Sequence, residues 1–175
     1  MRPTESAVIV RIPEAEPLVG RFRADLDFAA SLGVPAHVTV IYPFVAPDLI
    51  DDAVTAALAE AVGSVPAFDA TFARVAWFER TVIWLAPEPA EPFLALTNAV
   101  WQRFPHCPPY GGAHQQVVPH LTVGIDHPAD VLEKAARAVA PGLPITASVT
   151  AAVLMHGSKE TRSWRVVAEL QLAPS

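Results

Sequence analysis

Apolar and polar positions along the chain fall into short, sharply bounded stretches. Residues 7–12 form a β-branched run that Pro13 stops, which predicts a strand. Leu18, Phe22 and Leu26 then recur every fourth residue, with Glu14 and Glu16 where the positive end of a helix dipole would lie. A helix is predicted there, ended by Gly33 and Pro35. A second strand covers residues 37–42, followed by a turn bracketed by Pro43 and Pro47. A second helix is predicted over residues 48–62, where Leu49, Ala53, Ala57 and Ala61 run beside Ile50, Val54, Leu58 and Val62. Two adjoining rows of this kind make a face wide enough to pack on a sheet.

Residues 68–78 and 81–86 read as two strands joined near Glu79 and Arg80, a short polar connection that predicts a hairpin. A third helix over residues 91–104 presents Phe93, Leu96, Val100, Trp101 and Phe104, and residues 105–112 are too rich in Pro and Gly to be other than a loop. A strand over 120–125, a helix over 129–139 and strands over 145–155 and 164–172 complete the chain, with the turn between the last two at residues 157–161. The order strand, helix, strand, helix, strand thus occurs twice, with one extra strand at the end. The expectation is an α+β fold in a single bilobal domain with an internal pseudo-two-fold repeat, the first copy about 7–78 and the second about 81–172.

Composition narrows the reading. With 52% hydrophobic and 17% charged residues and a mean hydropathy of +0.33, the chain has ample apolar surface for a core, which excludes a disordered tail. The 18 prolines are dispersed, as many short punctuated elements require. A net charge of −6 offers no broad cationic surface for long duplex nucleic acid, although a small or terminal anionic group remains a candidate. Cys107, the single cysteine, cannot form an internal disulfide, and no long apolar leader precedes the first strand, so a cytoplasmic protein is expected. No apolar run approaches the ~20 residues that span a bilayer, and no membrane partner is expected.

Outside the order of elements, the repeat is carried by one tetrapeptide, His37-Val38-Thr39-Val40 and His120-Leu121-Thr122-Val123, each closely preceded by proline, Pro35 and Pro119. Both begin a strand. Strand alternation predicts that His37 and Thr39 face one way with Ile41, while Leu121, Val123 and Ile125 face away from His120 and Thr122. Each strand then offers an imidazole and a hydroxyl side by side. Splitting a phosphodiester needs a base to take a proton from the attacking oxygen and an acid to give one to the leaving oxygen. Histidine, with an ordinary pKa of ~6.5, serves either task. The hydroxyls of Thr39 and Thr122 are suited to donate to non-bridging phosphate oxygens.

The segments His37-Val38-Thr39-Val40-Ile41-Tyr42-Pro43-Phe44 and Pro119-His120-Leu121-Thr122-Val123 resemble the two signature segments of the 2H phosphoesterase superfamily, which includes the bacterial enzymes called 2′-5′ RNA ligases. The resemblance extends in element order over nearly the whole chain. It implies a bilobal α+β fold with two mainly antiparallel sheets forming a central cleft and helices outside. It also implies metal-independent hydrolysis of a 2′,3′-cyclic phosphate or a 2′-5′ phosphodiester, with His37, Thr39, His120 and Thr122 as the catalytic residues, no metal and no cofactor. ATP-independent 2′-5′ ligation would be the reverse reaction. The low Lys and Arg content departs from members that handle long RNA, so the expected partner is a nucleotide or a short RNA end, met by a monomer.

Other readings stay open beside this one. The same cleft could serve a binding module that holds nucleotide or RNA ends without turnover. His106, Cys107, His114 and His127 are the material for a zinc hydrolase, but their spacing fits no paired ligand pattern, and the three histidines read better as solvent-facing loop residues. His156, Lys159, Arg162 and Arg165 form a local basic run, either a solvated hairpin tip or a phosphate attractor at the cleft mouth. Among aromatic candidates for stacking on a base, Phe44, Tyr110 and Trp164, Tyr110 is preferred because Gly111 and Gly112 beside it would let its loop move. Neither Lys134 nor Lys159 opens a Lys-x-Asp-Gly sequence, and no Gly-x-x-x-x-Gly-Lys loop is present, so an adenylyl-transfer ligase is excluded.

Overall fold

The computed structural model describes residues 2–175. Prolines sit in the first turns of α1 (Glu16–Leu26) and α4 (Glu91–Arg103), where an absent N–H forfeits no helical bond. α1 ends with the last of its spaced apolar residues, Leu26, well before the Gly33 and Pro35 expected to stop it. Asp27 is extended, pairs back to Arg23 and accepts from the Ala29 N–H, so it starts a separate one-turn helix, α2 (Phe28–Ser31). The helix predicted from residue 48 also starts later. Asp48 lies in a 3-10 turn, and Asp51 caps α3 (Asp52–Gly63) by accepting from the Val54 N–H at 2.8 Å. Leu49, counted in the apolar face, is therefore exposed, while Ala57, Leu58, Ala61 and Val62 are buried.

The strands are β1 (Glu5–Arg11), β2 (His37–Ile41), β3 (Phe68–Phe78), β4 (Val82–Glu88), β5 (Leu121–Ile125), β6 (Ile145–Val149), β7 (Ala151–Gly157) and β8 (Arg165–Gln171), with α5 (Ala129–Val139) between β5 and β6. They form two sheets, ordered β2-β1-β7-β8 and β5-β4-β3-β6, in which every pairing is antiparallel. The stretch 145–155 is two strands, not one. It breaks at Thr150, so that β6 pairs with β3 and β7 with β1 in the other sheet. No Gly or Pro marks this crossing, so nothing in the sequence of 145–155 punctuates it. The sheets do not follow the halves of the sequence: β3 joins β4 and β5, while β7 and β8 join β1 and β2.

One core runs through both lobes, with Val8, Val38 and Leu154 from the first sheet and Phe72, Leu85 and Leu121 from the second meeting Phe93 and Leu96 of α4. A smaller cluster of Ala7, Ile9, Leu32, Val34, Val153, Met155 and Trp164 covers the opposite face of β1 and β7. β1 is thus buried on both faces, which accounts for its continuous apolar sequence.

Candidate active site

β2 and β5 are the end strands of their sheets and lie against one another. Each carries a bulge at the same place after the motif threonine. Ile9 lies opposite Thr39 but Val8 opposite Ile41, and Trp84 lies opposite Thr122 but Ile83 opposite Gly124, so Val40 and Val123 are the extra residues. A bulge reverses the alternation beyond it. Two expectations are corrected accordingly: Ile41 turns into the core instead of sharing the face of His37, and Ile125 leaves the core side to line a cavity with His120 and Thr122. Gly124 fits the reversal, since a Cβ there would lie 2.9 Å from Leu132 and 3.1 Å from Leu26.

The two histidines are held alike. His37 Nδ1 lies 2.7 Å from the Pro35 carbonyl and His120 Nδ1 lies 2.7 Å from the Val118 carbonyl, in each case two residues back. A carbonyl only accepts, so Nδ1 carries the hydrogen, and in the neutral ring Nε2 keeps a free lone pair. Burial, then the Arg23 charge, pushes the His37 pKa down to about 4 against the opposing pull of the Pro35 carbonyl and Asp27; a charge on His120 disfavours it further. His120 is also lowered, by burial and then by His114, against the Val118 carbonyl.

Tyr110 touches both motifs. Its N–H donates to the Tyr42 carbonyl at 2.7 Å, its ring lies 6.4 Å from the His120 ring at an interplanar angle of 20°, and its hydroxyl makes a polar contact with Thr39. Its backbone is left-handed, φ 52°, unusual for an aromatic residue. Thr122 and His120 open onto a cavity of about 600 Å³ walled by Trp77, Phe78, Val82, Tyr110 and Ile125, with Glu79, His114 and Gln116 among its polar lining. Phe78 meets His120 edge-on at 5.0 Å and stacks on Trp84 at 4.5 Å. Trp84 is buried opposite Thr122, and its indole N–H has no partner among the described residues.

The other sequence candidates are distributed elsewhere. Phe44 is a core residue packed edge-on to Phe104, and Trp164 is buried against Tyr42 with its N–H given to the Ser158 carbonyl, so neither is free to stack on a ligand. His114 is an exposed loop residue as expected, but it also meets Tyr110 edge-on at 5.5 Å and lines the cavity. His106 is exposed beside Phe104. Among the described residues no three His, Cys, Asp or Glu side chains gather as a metal site. His156 and Arg165 line a hollow near Pro3, and Arg162 lines another behind Arg23. Trp77, Phe78 and Trp84 escaped sequence reasoning. Their signal was the concentration of large aromatics at one hairpin end, legible as a site only once β4 was known to pair with β5.

The family model described as the 2'-5' RNA ligase superfamily matches residues 12–161. Comparison with curated proteins finds no match. Among solved structures, E. coli LigT complexed with NADP+ is 20% identical with a TM-score of 0.62, and alignment covers 99% of each chain. The same protein complexed with 3'-AMP is 19% identical with a TM-score of 0.58, covering 98% of this chain and 99% of that one. TT0787 of Thermus thermophilus is 16% identical with a TM-score of 0.65 at the same coverage. At these identities the structural likeness establishes the fold.

Proposed function

The chain belongs to the 2′-5′ RNA ligase superfamily, and from that premise we propose that it is a phosphodiesterase that hydrolyses a 2′,3′-cyclic phosphate or a 2′-5′ phosphodiester of a nucleotide or short RNA end. The observation that carries this is the matched pair of imidazoles. Each is fixed through Nδ1 to a carbonyl two residues back, just before its strand, which leaves both Nε2 atoms for a phosphate between them. One neutral imidazole takes a proton from water as its oxygen bonds to phosphorus. The other, protonated, gives a proton to the ribose oxygen as the P–O bond breaks, and a monoester results. Thr39 and Thr122 donate to the non-bridging oxygens, where negative charge grows in the transition state.

The apolar cavity beside His120 suits a nucleobase, since aromatic walls accept any base face. Structures of E. coli LigT hold NADP+, 3'-AMP and ATP, all of them nucleotides. The function is tested by incubating the protein with nucleoside 2′,3′-cyclic phosphates, with and without chelator. Release of nucleoside monophosphate at the same rate in both arms supports this reading. Bound but unchanged nucleotide would instead make the cleft a binding module, and chelator-sensitive turnover would require a metal.

A further inference from the structure

His37 owes its ring orientation to the Pro35 carbonyl, and proline has no N–H with which to anchor its own peptide. The neighbours on either side are held instead. Val34 N–H donates to the Ala29 carbonyl at 3.0 Å, and the Val34 carbonyl accepts from Arg23 at 3.2 Å. The Ala36 carbonyl accepts from Ile12 N–H at 2.8 Å, and Ala36 N–H donates to Glu16 Oε1 at 2.6 Å. Every backbone group flanking Pro35 is thereby occupied, which leaves the Pro35 carbonyl for His37 alone. Two of these anchors are side chains of α1, and Arg23, itself buried, is locked by Asp27 at 2.8 Å.

Gly20 supplies a second, independent observation. It lies inside α1, where glycine is a poor helix former. A Cβ there would come 2.9 Å from Glu16 Oε2, the far end of a flexible side chain that can move aside at little cost, so glycine keeps the present path of the Glu16 carboxylate to Ala36 clear without being required for it. Around His120 nothing comparable exists: among the described residues no side chain bonds the backbone of residues 117–119 apart from His120 itself.

We propose that Glu16 is a positioning residue for His37: by fixing the Ala36 peptide it holds the Pro35 carbonyl that keeps the imidazole in its Nδ1–H form, with Nε2 turned to the cleft. Gly20 keeps the present path of that carboxylate clear. The proposal rests on His37 acting as a proton-transfer group. Glu16 touches no substrate, so its loss disturbs proton transfer and leaves the threonine grip on phosphate intact.

The test uses the full chain with 15N-labelled histidine and three variants. Glu16→Ala should lower kcat by roughly 3- to 30-fold with KM within about twofold, because a catalytic group that wanders loses rate steeply, and Gly20→Ala, whose methyl the Glu16 carboxylate can avoid, should cost less. Glu16→Gln keeps an oxygen for Ala36 N–H and should restore the rate. In the NMR spectra His37 should lose its uniform Nδ1–H signature in Glu16→Ala while His120 keeps it. Gly20→Ala should melt at or above the wild-type temperature, which separates misplacement from unfolding. An unchanged His37 signature in Glu16→Ala, an equal change at His120, or damage in Glu16→Gln as large as in Glu16→Ala would overturn the proposal. If no cyclic phosphate is turned over at all, the proposed function fails while the NMR arm still decides whether Glu16 orients His37.

Discussion

The two His-x-Thr strands share a motif, a bulge and a carbonyl anchor, yet they stand in different surroundings. His37 is backed by polar and charged groups: Arg23 and Asp27 behind it, and a segment pinned on both sides of Pro35. His120 is caged by rings, Phe78 and Trp84 edge-on and Tyr110 alongside, and opens onto the apolar cavity. The face of β1 and β7 is closed by Leu32, Val34 and Trp164, whereas aromatic residues at the β3–β4 hairpin border open space. In the proposed function the shared motif, bulge and anchor would serve the phosphate, and the differing surroundings would serve what the phosphate is attached to. The phosphate is nearly symmetric about its in-line axis, but a nucleotide has its base on one side only.

The comparison breaks most sharply at the histidines. His37→Ala and His120→Ala should each cost roughly 10² to 10⁴-fold in turnover of a cyclic phosphate, and the double variant should be little worse than either single one, because the groups act as a unit. If one variant kept wild-type kcat, the lobes would not be partners and the lone essential histidine would need another mechanism. Steady-state kinetics on the three variants decides this.

Acidity separates the lobes next. A neutral base and a protonated acid coexist best between the two pKa values, whichever ring plays which part. Both rings are lowered, His37 to about 4, so kcat/KM should peak on the acid side of neutrality, with its lower limb near pH 4 and its upper limb below the ordinary histidine value of ~6.5. NMR titration assigns the limbs: His37 should protonate last as pH falls. Stability follows the same sign. The folded state favours neutral His37, so this contribution is complete above pH ~6.5 and is lost as pH drops through about 4, which urea midpoints measured across that range would record. A peak above pH 7.5 in kcat/KM would show that neither ring is as buried in solution as the fold makes it.

The aromatic side yields a smaller effect. Phe78→Ala should raise KM for a nucleoside 2′,3′-cyclic phosphate by roughly 5- to 100-fold, the range of one lost base stack, with less change in kcat. A cyclic phosphate without a base, such as glycerol 1,2-cyclic phosphate, should be little affected. Equal losses on both substrates would mean that Phe78 serves only to hold His120.

How far this was legible in the sequence differs from residue to residue. His37, Thr39, His120 and Thr122 could be singled out as candidates because a repeated motif on strands needs no tertiary knowledge, whereas the two antiparallel sheets followed only from the family resemblance. The reversal at Ile41 and Ile125 was hidden, since a bulge is a property of pairing, and Val40 and Val123 look like any strand residues. The break at Thr150 was hidden for a similar reason, because each half of 145–155 suits a strand and only the partner strands tell them apart. Glu16 read as a dipole-complementing acid at a helix start, which it is; its bond to Ala36 depends on a chain turn 20 residues later. Phe44 and Trp164 show the converse error, aromatics near motifs that the core had already claimed.

The smallest effect concerns Tyr110, whose ring lies beside His120 and whose hydroxyl meets Thr39. Tyr110→Phe keeps the ring beside His120 and the left-handed turn, and removes only the hydroxyl that meets Thr39. A bound phosphate would offer Thr39 a stronger, charged partner, so the contact with Tyr110 belongs to the free protein and competes weakly with substrate. A neutral hydrogen bond nets about 0.5–1.5 kcal/mol, and the phosphate contact replaces most of it. KM for a cyclic phosphate should therefore fall by no more than about threefold while kcat stays within twofold of wild type. A tenfold loss of kcat would show instead that the Tyr110 hydroxyl works on the transition state, and the division of labour between the two strands would have to include the loop between α4 and β5.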